Sequence, residues 1–170
     1  MKTLVILTLC LIALGATAIA VGAFLPATRD GTAMRSFDAA PDLVRSVIRD
    51  IDSQPAWRAK VAAIAPGPDG RWTEVTTDGE RITFQIVEDS ATTIALSFES
   101  TRGYIGRWAA DLTAAGTDRT LLTVTEQATT PSPIGRILSR LFFDPVAFAA
   151  TYLDELGAEV ARRSSDRGDR

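Results

Sequence analysis

The sequence predicts an α+β domain behind a single membrane-spanning segment: an antiparallel sheet covered on one side by a long C-terminal helix. Three observations carry that reading. Stretches with strand-like alternation are grouped between residues 61 and 129, helical patterns stand at the two ends of that group, and an uncharged apolar run opens the chain. Grouped strands with segregated helices mark α+β construction.

The opening run, Thr3 to Phe24 (TLVILTLCLIALGATAIAVGAF), contains no charged residue. As a helix it is about 33 Å long, enough to cross the hydrocarbon of a bilayer. A cleaved signal peptide is the alternative, because Lys2 and the small residues Ala16, Ala18 and Ala20 resemble its start and cleavage site. The run is longer than a typical signal core, which favours a retained single-pass anchor. Arg29 and Arg35 balance Lys2 and the amino terminus, so charge does not settle orientation. A short segment ahead of the first span behaves as a signal-anchor, which favours a domain outside the cytoplasm.

Leu25-Pro26 ends the span, residues 27–32 read as a polar linker, and Ala33 to Asp38 reads as the first strand. Pro41 and Asp42 then open an amphipathic helix carrying Leu43, Val44, Val47, Ile48 and Ile51, and Ser53 to Trp57 forms a turn or second short helix. Strands follow at Val61–Ala65, Arg71–Thr77, Arg81–Glu88, Thr92–Ser100, Gly106–Ala114 and Arg119–Thr129. Asp78-Gly79 is a strong hairpin signal between two of them. Ile82, Phe84 and Ile86 share one face with Ile94, Leu96 and Phe98, with Trp108, Ala110 and Leu112, and with Leu122 and Val124. Polar residues take the other face, so the sheet is covered on one side only. The cover is Pro133 to Arg163, whose apolar residues recur at steps of three and four and whose continuity fails at Asp144-Pro145. Residues 164–170 carry no apolar side chain to bury and read as a disordered tail.

The domain proper, residues 33–163, is close to the commonest domain size. A net charge of −3, with acids and bases interspersed, leaves no basic track for nucleic acid. There is no histidine, and the one cysteine, Cys10, lies in the apolar run. That inventory excludes an intramolecular disulfide, histidine-ligated metal and the usual Ser-His or Cys-His nucleophile pairs. No cofactor motif is present either: Thr101 to Gly106 (TRGYIG) has too few glycines and no following helix to cradle phosphate.

The order strand, two short helices, six hairpin-connected strands and one long helix resembles the START-like helix-grip fold of the SRPBCC superfamily, which includes polyketide cyclase and dehydrase-like proteins. FDAAPDLVRSVIRDIDSQPAWRAKV at 37–61, GRWAADL at 106–112 and LLTVTEQATTPSPIGRIL at 121–138 carry the resemblance. The span followed by Phe24-Leu25-Pro26 looks like a membrane-anchored subset. The resemblance implies a curved sheet gripping the C-terminal helix around an apolar cavity that in relatives holds lipids, sterols, polyketides or plant hormones. It brings no catalytic motif with it, and fold does not fix function.

The expected pocket is lined by Phe84, Leu96, Phe98, Trp108, Leu122, Tyr152 and Leu156, with Glu126 as its main acidic group. Glu126 follows Leu122 and Val124 at period two and so points to the apolar side, where an acid is costly unless paired. Arg35 and Arg107 are the candidate partners. The functional reading of Glu126 is a polar anchor or a general acid with a raised pKa; the plain one is a structural ion pair or a strand end open to water. Tyr104 is a candidate gate, and Trp72 and Trp108 are apolar wall. The leading function is a membrane-tethered, non-catalytic binding domain for an apolar or amphipathic small molecule, lipid-like or polyketide-like. A cyclase or dehydratase using Glu126 and a tyrosine is one alternative. A protein-interaction module with a collapsed cavity is the other.

Overall fold

A computed structural model describes residues 1–168 of the chain. Helix α1, Lys2–Phe24, is long and apolar enough to cross a membrane, and nearly all of its side chains are exposed. Pro26 stops it, and β1 begins at Thr28 and runs to Phe37. Residues 28–32, expected as linker, are therefore strand. Thr28, Asp30 and Thr32 take the outer face, where the Thr28 and Thr129 hydroxyls lie 2.9 Å apart and those of Thr32 and Thr125 3.1 Å.

Helix α2 spans Pro41–Arg49, with Pro41 in its first turn, and the short helix α3 spans Gln54–Trp57. Six strands follow: β2 Val61–Pro66, β3 Trp72–Thr76, β4 Arg81–Asp89, β5 Thr93–Ser100, β6 Ile105–Ala114 and β7 Thr120–Thr129. With β1 they make one antiparallel sheet in the order β1-β7-β6-β5-β4-β3-β2. A bulge at Val87 shifts the β4–β5 register from Ile86↔Leu96 to Glu88↔Ala95 and adds bend to the sheet.

The C-terminal helix is two helices, α4 Pro133–Phe142 and α5 Pro145–Gly168. Asp144 starts the second, its Oδ1 accepting from the Val146 and Ala147 amides at 2.9 and 3.2 Å. Pro145 costs nothing in that first turn, whereas inside one continuous helix it would cost about 3 kcal/mol. Residues 164–168, expected as disordered, continue α5. The reason is local: Arg162 pairs with Asp166 at 2.8 Å, and Arg162 and Arg163 both hold Glu159, so the last turns are tied by charge without apolar burial. Residues 169 and 170 lie outside the described part.

Helix α5 packs mainly on β1 and β7, with α2 against its side and against β6. Leu122, Val124, Leu153 and Leu156 are fully buried there, beside Val44 and Val47 of α2. The close approach depends on Gly31, where a Cβ would sit 2.3 Å from the Pro145 carbonyl carbon. Only glycine lets the start of α5 lie on β1.

Candidate ligand cavity

Because α5 hugs the β1–β7 end, the inner face of the remaining strands is not filled by it. The space left between that face and α3, α4 and the first turns of α5 is a cavity of about 720 Å³. It is open rather than collapsed. Its walls carry a run of packed aromatic rings. Trp72 stacks on Phe84 with centroids 5.6 Å apart, Phe84 meets Phe98 at 5.7 Å, and Phe98 meets Tyr104 at 6.2 Å. On the helix side Tyr152 sets its ring edge to Trp108 at 5.3 Å and packs against Trp57 at 6.0 Å.

Six of the eight residues expected in the pocket line this space: Phe84, Leu96, Phe98, Trp108, Glu126 and Tyr152. Leu122 and Leu156 do not. Both have no exposed surface and belong to the solid core, where α5 lies against the sheet. Tyr104 and Trp72 also line the cavity.

Glu126 pairs across the sheet with Trp108 on β6 and Gly31 on β1. Its side chain is buried, and none of the hydrogen bonds or ion pairs formed among the described residues reaches its carboxyl group. The two expected partners are engaged elsewhere, which corrects that pairing: Arg35 bonds Asp154 of α5, and Arg107 points to Glu88 at 3.5 Å on the opposite face. The register explains both. Arg35 lies opposite Leu122, two pairs along the inner face from Glu126, and Arg107 lies opposite Gln127, whose side chain is on the outer face.

Burial pushes the Glu126 carboxyl up to about 7; the Arg58 charge opposes that rise and the Glu74 charge adds to it. Burial likewise raises the phenols of Tyr104 and Tyr152 well above the ordinary tyrosine range. The cavity thus holds an acid that changes protonation near neutral pH, donating a hydrogen bond when protonated and accepting only when ionised.

Other polar groups of the wall are paired with one another, while the buried Trp72 indole N–H has no partner among the described residues. Arg58 bonds Glu74 at 2.7 Å and Gln54 at 2.6 Å while lying over the Tyr152 ring. Glu80 accepts from the Ser100 hydroxyl and lies 3.2 Å from Arg102. The sequence reading missed these groups, although a signal existed: Glu74 is two residues from Trp72 on one strand and must share its face. Arg58 follows a four-residue helix and has no periodic neighbour to betray it.

No family model and no curated protein sequence matches the chain. Solved structures do. A START superfamily protein from Mycobacterium smegmatis is 13% identical with a TM-score of 0.61, over 78% of this chain and 97% of that one. The Zhui aromatase/cyclase from Streptomyces sp. R1128 is 15% identical with a TM-score of 0.64, over 81% and 96%. The chain has the START-like helix-grip fold. Norcoclaurine synthase from Thalictrum flavum, solved with dopamine and hydroxybenzaldehyde, shares it at 12% identity and a TM-score of 0.62, over 85% and 92%. At these identities the likeness is one of fold, and the residues that line the helix-grip cavity here have to be argued from their own chemistry.

Proposed function

We propose that this protein is a membrane-tethered, non-catalytic binding protein for an apolar or amphipathic small molecule, lipid-like or polyketide-like in shape, with α1 retained as the tether. The observation that carries the proposal is the cavity: about 720 Å³, lined in part by aromatic side chains, with a buried carboxyl group, that of Glu126, which no donor among the described residues satisfies. Its size falls within the range of small-molecule sites, which are mostly apolar with a few polar groups fixing orientation. Glu126 is the orienting group, protonated toward acidic pH and charged above neutrality.

Native mass spectrometry of the detergent-extracted full chain tests this. A co-purifying small molecule in defined stoichiometry, with intact mass beginning at Met1, supports both binding and tether. Protein that is repeatedly empty and fails to take up fluorescent fatty acids or polycyclic aromatic probes overturns the binding reading. A mature chain starting between Thr17 and Ala27 overturns the tether.

The position of the Glu126 pKa favours one second reading, a cyclase or dehydratase in which Glu126 is the general acid or base, since proton transfer is most efficient when the pKa lies near the working pH. Aldol-type cyclisation can run on a carboxyl group and positioning without histidine. Release of an isomerised or dehydrated product from a bound substrate, abolished in Glu126→Gln, would establish it over simple binding.

A further inference from the structure

Helix α4 has two neighbours that bear on each other: the end of α1 and the cavity. At its N-terminus Pro133 lies against Gly22 so closely that a Cβ there would sit 2.1 Å from the Pro133 carbonyl oxygen. Arg136 donates through Nη1 to the carbonyls of Ala23 and Leu25, both at 3.3 Å, and Arg140 donates to that of Pro26 at 3.3 Å. These are carbonyls that the last turn of a helix and its exit leave free. At its C-terminus α4 is held to β1, because Arg29 donates to the carbonyls of Ser139 and Phe143 at 2.7 and 2.6 Å. Helix α4 is thus fixed at the level where the apolar run ends, and for a spanning helix that level is the membrane interface.

The same helix carries an apolar arc that the described residues leave largely uncovered. At 100° per residue Ile134, Leu138, Leu141 and Phe142 fall together, and they are 42, 49, 69 and 81% exposed, while Arg136 and Arg140 occupy the opposite side. Basic residues on one face and large apolar ones on the other describe a helix lying in a lipid interface. The arc is also contiguous with the cavity, because Leu138 and Phe142 line it. The exposed lining of the cavity also has polar residues, Lys60, Thr77, Asp78 and Arg102.

We infer that α4 lies in the bilayer interface with its apolar arc among acyl chains, making Leu138 and Phe142 the membrane-side lip of the cavity, through which a lipid-soluble ligand passes without crossing water. The ligand class rests on the binding half of the proposed function, and the placement of α4 rests on its other half, the retention of α1 as a span. The occupant of the arc is lipid because α4 is fixed at the level where α1 ends, and a helix held there through its basic side, and to β1 at its C-terminus, turns its apolar arc outward.

The test uses the full chain with Cys10→Ser, reconstituted in phosphatidylcholine vesicles, some containing lipids brominated along the acyl chain. An environment-sensitive fluorophore is attached at Leu141→Cys, at Phe142→Cys, or at Thr77→Cys among the exposed polar residues. Blue-shifted emission quenched by brominated lipid at 141 and 142, with neither effect at 77, is the expected result. Labels at 141 and 142 that behave like the one at 77 overturn the placement and leave the arc to a protein partner. The portal is tested separately by the rate at which a fluorescent fatty acid passes from vesicles into the cavity. Ile134→Glu and Leu141→Glu, which do not line the cavity, should slow that transfer about tenfold or more while leaving the affinity measured in detergent unchanged. Transfer at the wild-type rate overturns the portal. Quenching as expected with no probe uptake in any variant or in wild type overturns the binding half of the proposed function instead and leaves α4 in the interface.

Discussion

The two ends of the sheet are built from the same alternating pattern, and one is solid while the other is hollow. At the β1–β7 end Gly31, Ala33 and Ala149 keep the contact between strand and helix short, and leucines and valines close it without space. At the β3–β6 end the inward positions are Trp72, Phe84, Phe98 and Trp108, and no helix is close enough to fill the gaps between them. The difference teaches that period-two apolarity specifies which face is covered, and residue size specifies whether the cover touches. Small residues admit α5; rings with Tyr152 opposite them leave a chamber of about 720 Å³. Fixed packing at one end lets the other remain open.

The sharpest way to break the comparison is to remove equal side chains from each end. Leu156→Ala, in the solid end, should lose about 3 to 5 kcal/mol, because a buried leucine leaves a cavity its neighbours cannot close. Leu96→Ala, on the chamber wall, should lose about 1 kcal/mol or less, since the deleted atoms already face open space. Thermal melts of the full chain in detergent measure both. Equal losses would mean that the chamber is closed in solution.

The next effect is electrostatic, and its sign differs between the ends. In the hollow end the folded-state pKa of Glu126, about 7, lies above the ordinary 4.5. Between those values the folded protein keeps a proton that the unfolded chain has released. Its contribution is therefore fully present below pH 4.5 and is lost as pH rises through about 7, a loss of at most about 3 kcal/mol. Glu126→Gln should remove that loss, raising the melting temperature at pH 8 and changing it little at pH 4. In the solid end Glu159, bonded by Arg162 first and also by Arg163, is held down to about 2. Its contribution is fully present above 4.5 and is lost as pH falls through about 2, so Glu159→Gln should lower the melting temperature at pH 7 and lower it much less at pH 2.5. Melts across pH check both slopes. A parallel shift of the two variants would show that the ends do not differ in polarity as the geometry requires.

The fold was legible because it rests on periodicity and punctuation: alternation gave the inner face, Asp78-Gly79 a hairpin, and Asp144-Pro145 the helix break. Pocket residues on strands were legible for the same reason, which is why Phe84, Leu96, Phe98, Trp108 and Glu126 fall on the cavity. Leu122 and Leu156 were misplaced because alternation cannot report how far the helix stands from each strand. The true partners of Arg35 and Arg107, neither of them Glu126, were out of reach as well. They depend on register between strands far apart in sequence, and a shift of one residue reverses a side chain's face. Thr28 to Thr32 looked like linker because a strand beside β7 at the sheet edge needs no apolar outer face. The role of α4 lay outside any periodic reading, since its stripe is the same whether it covers a sheet or a bilayer.

The smallest expected effect concerns the joint between the two ends. Asp144 stands where α4, a wall of the chamber, passes into α5, the spine of the solid core. Its carboxylate takes the amides of Val146 and Ala147, and its carbonyl accepts from Phe148 at 3.0 Å. Asp144→Ala should cost about 1 kcal/mol, the usual worth of such a cap, and Asp144→Asn should recover most of it because the amide oxygen can accept the same bonds. The loss should fall unevenly. Hydrogen exchange ought to quicken in residues 145 to 148 and in α4, whose C-terminal carbonyls are held by Arg29 and the Phe143 amide, while Leu153, Leu156 and Val160 keep their protection, being fixed by burial against β1, β7 and α2. Faster exchange spreading through residues 153 to 160 would show that the cap supports the core as well as the chamber, and the two ends would have to be treated as one cooperative unit.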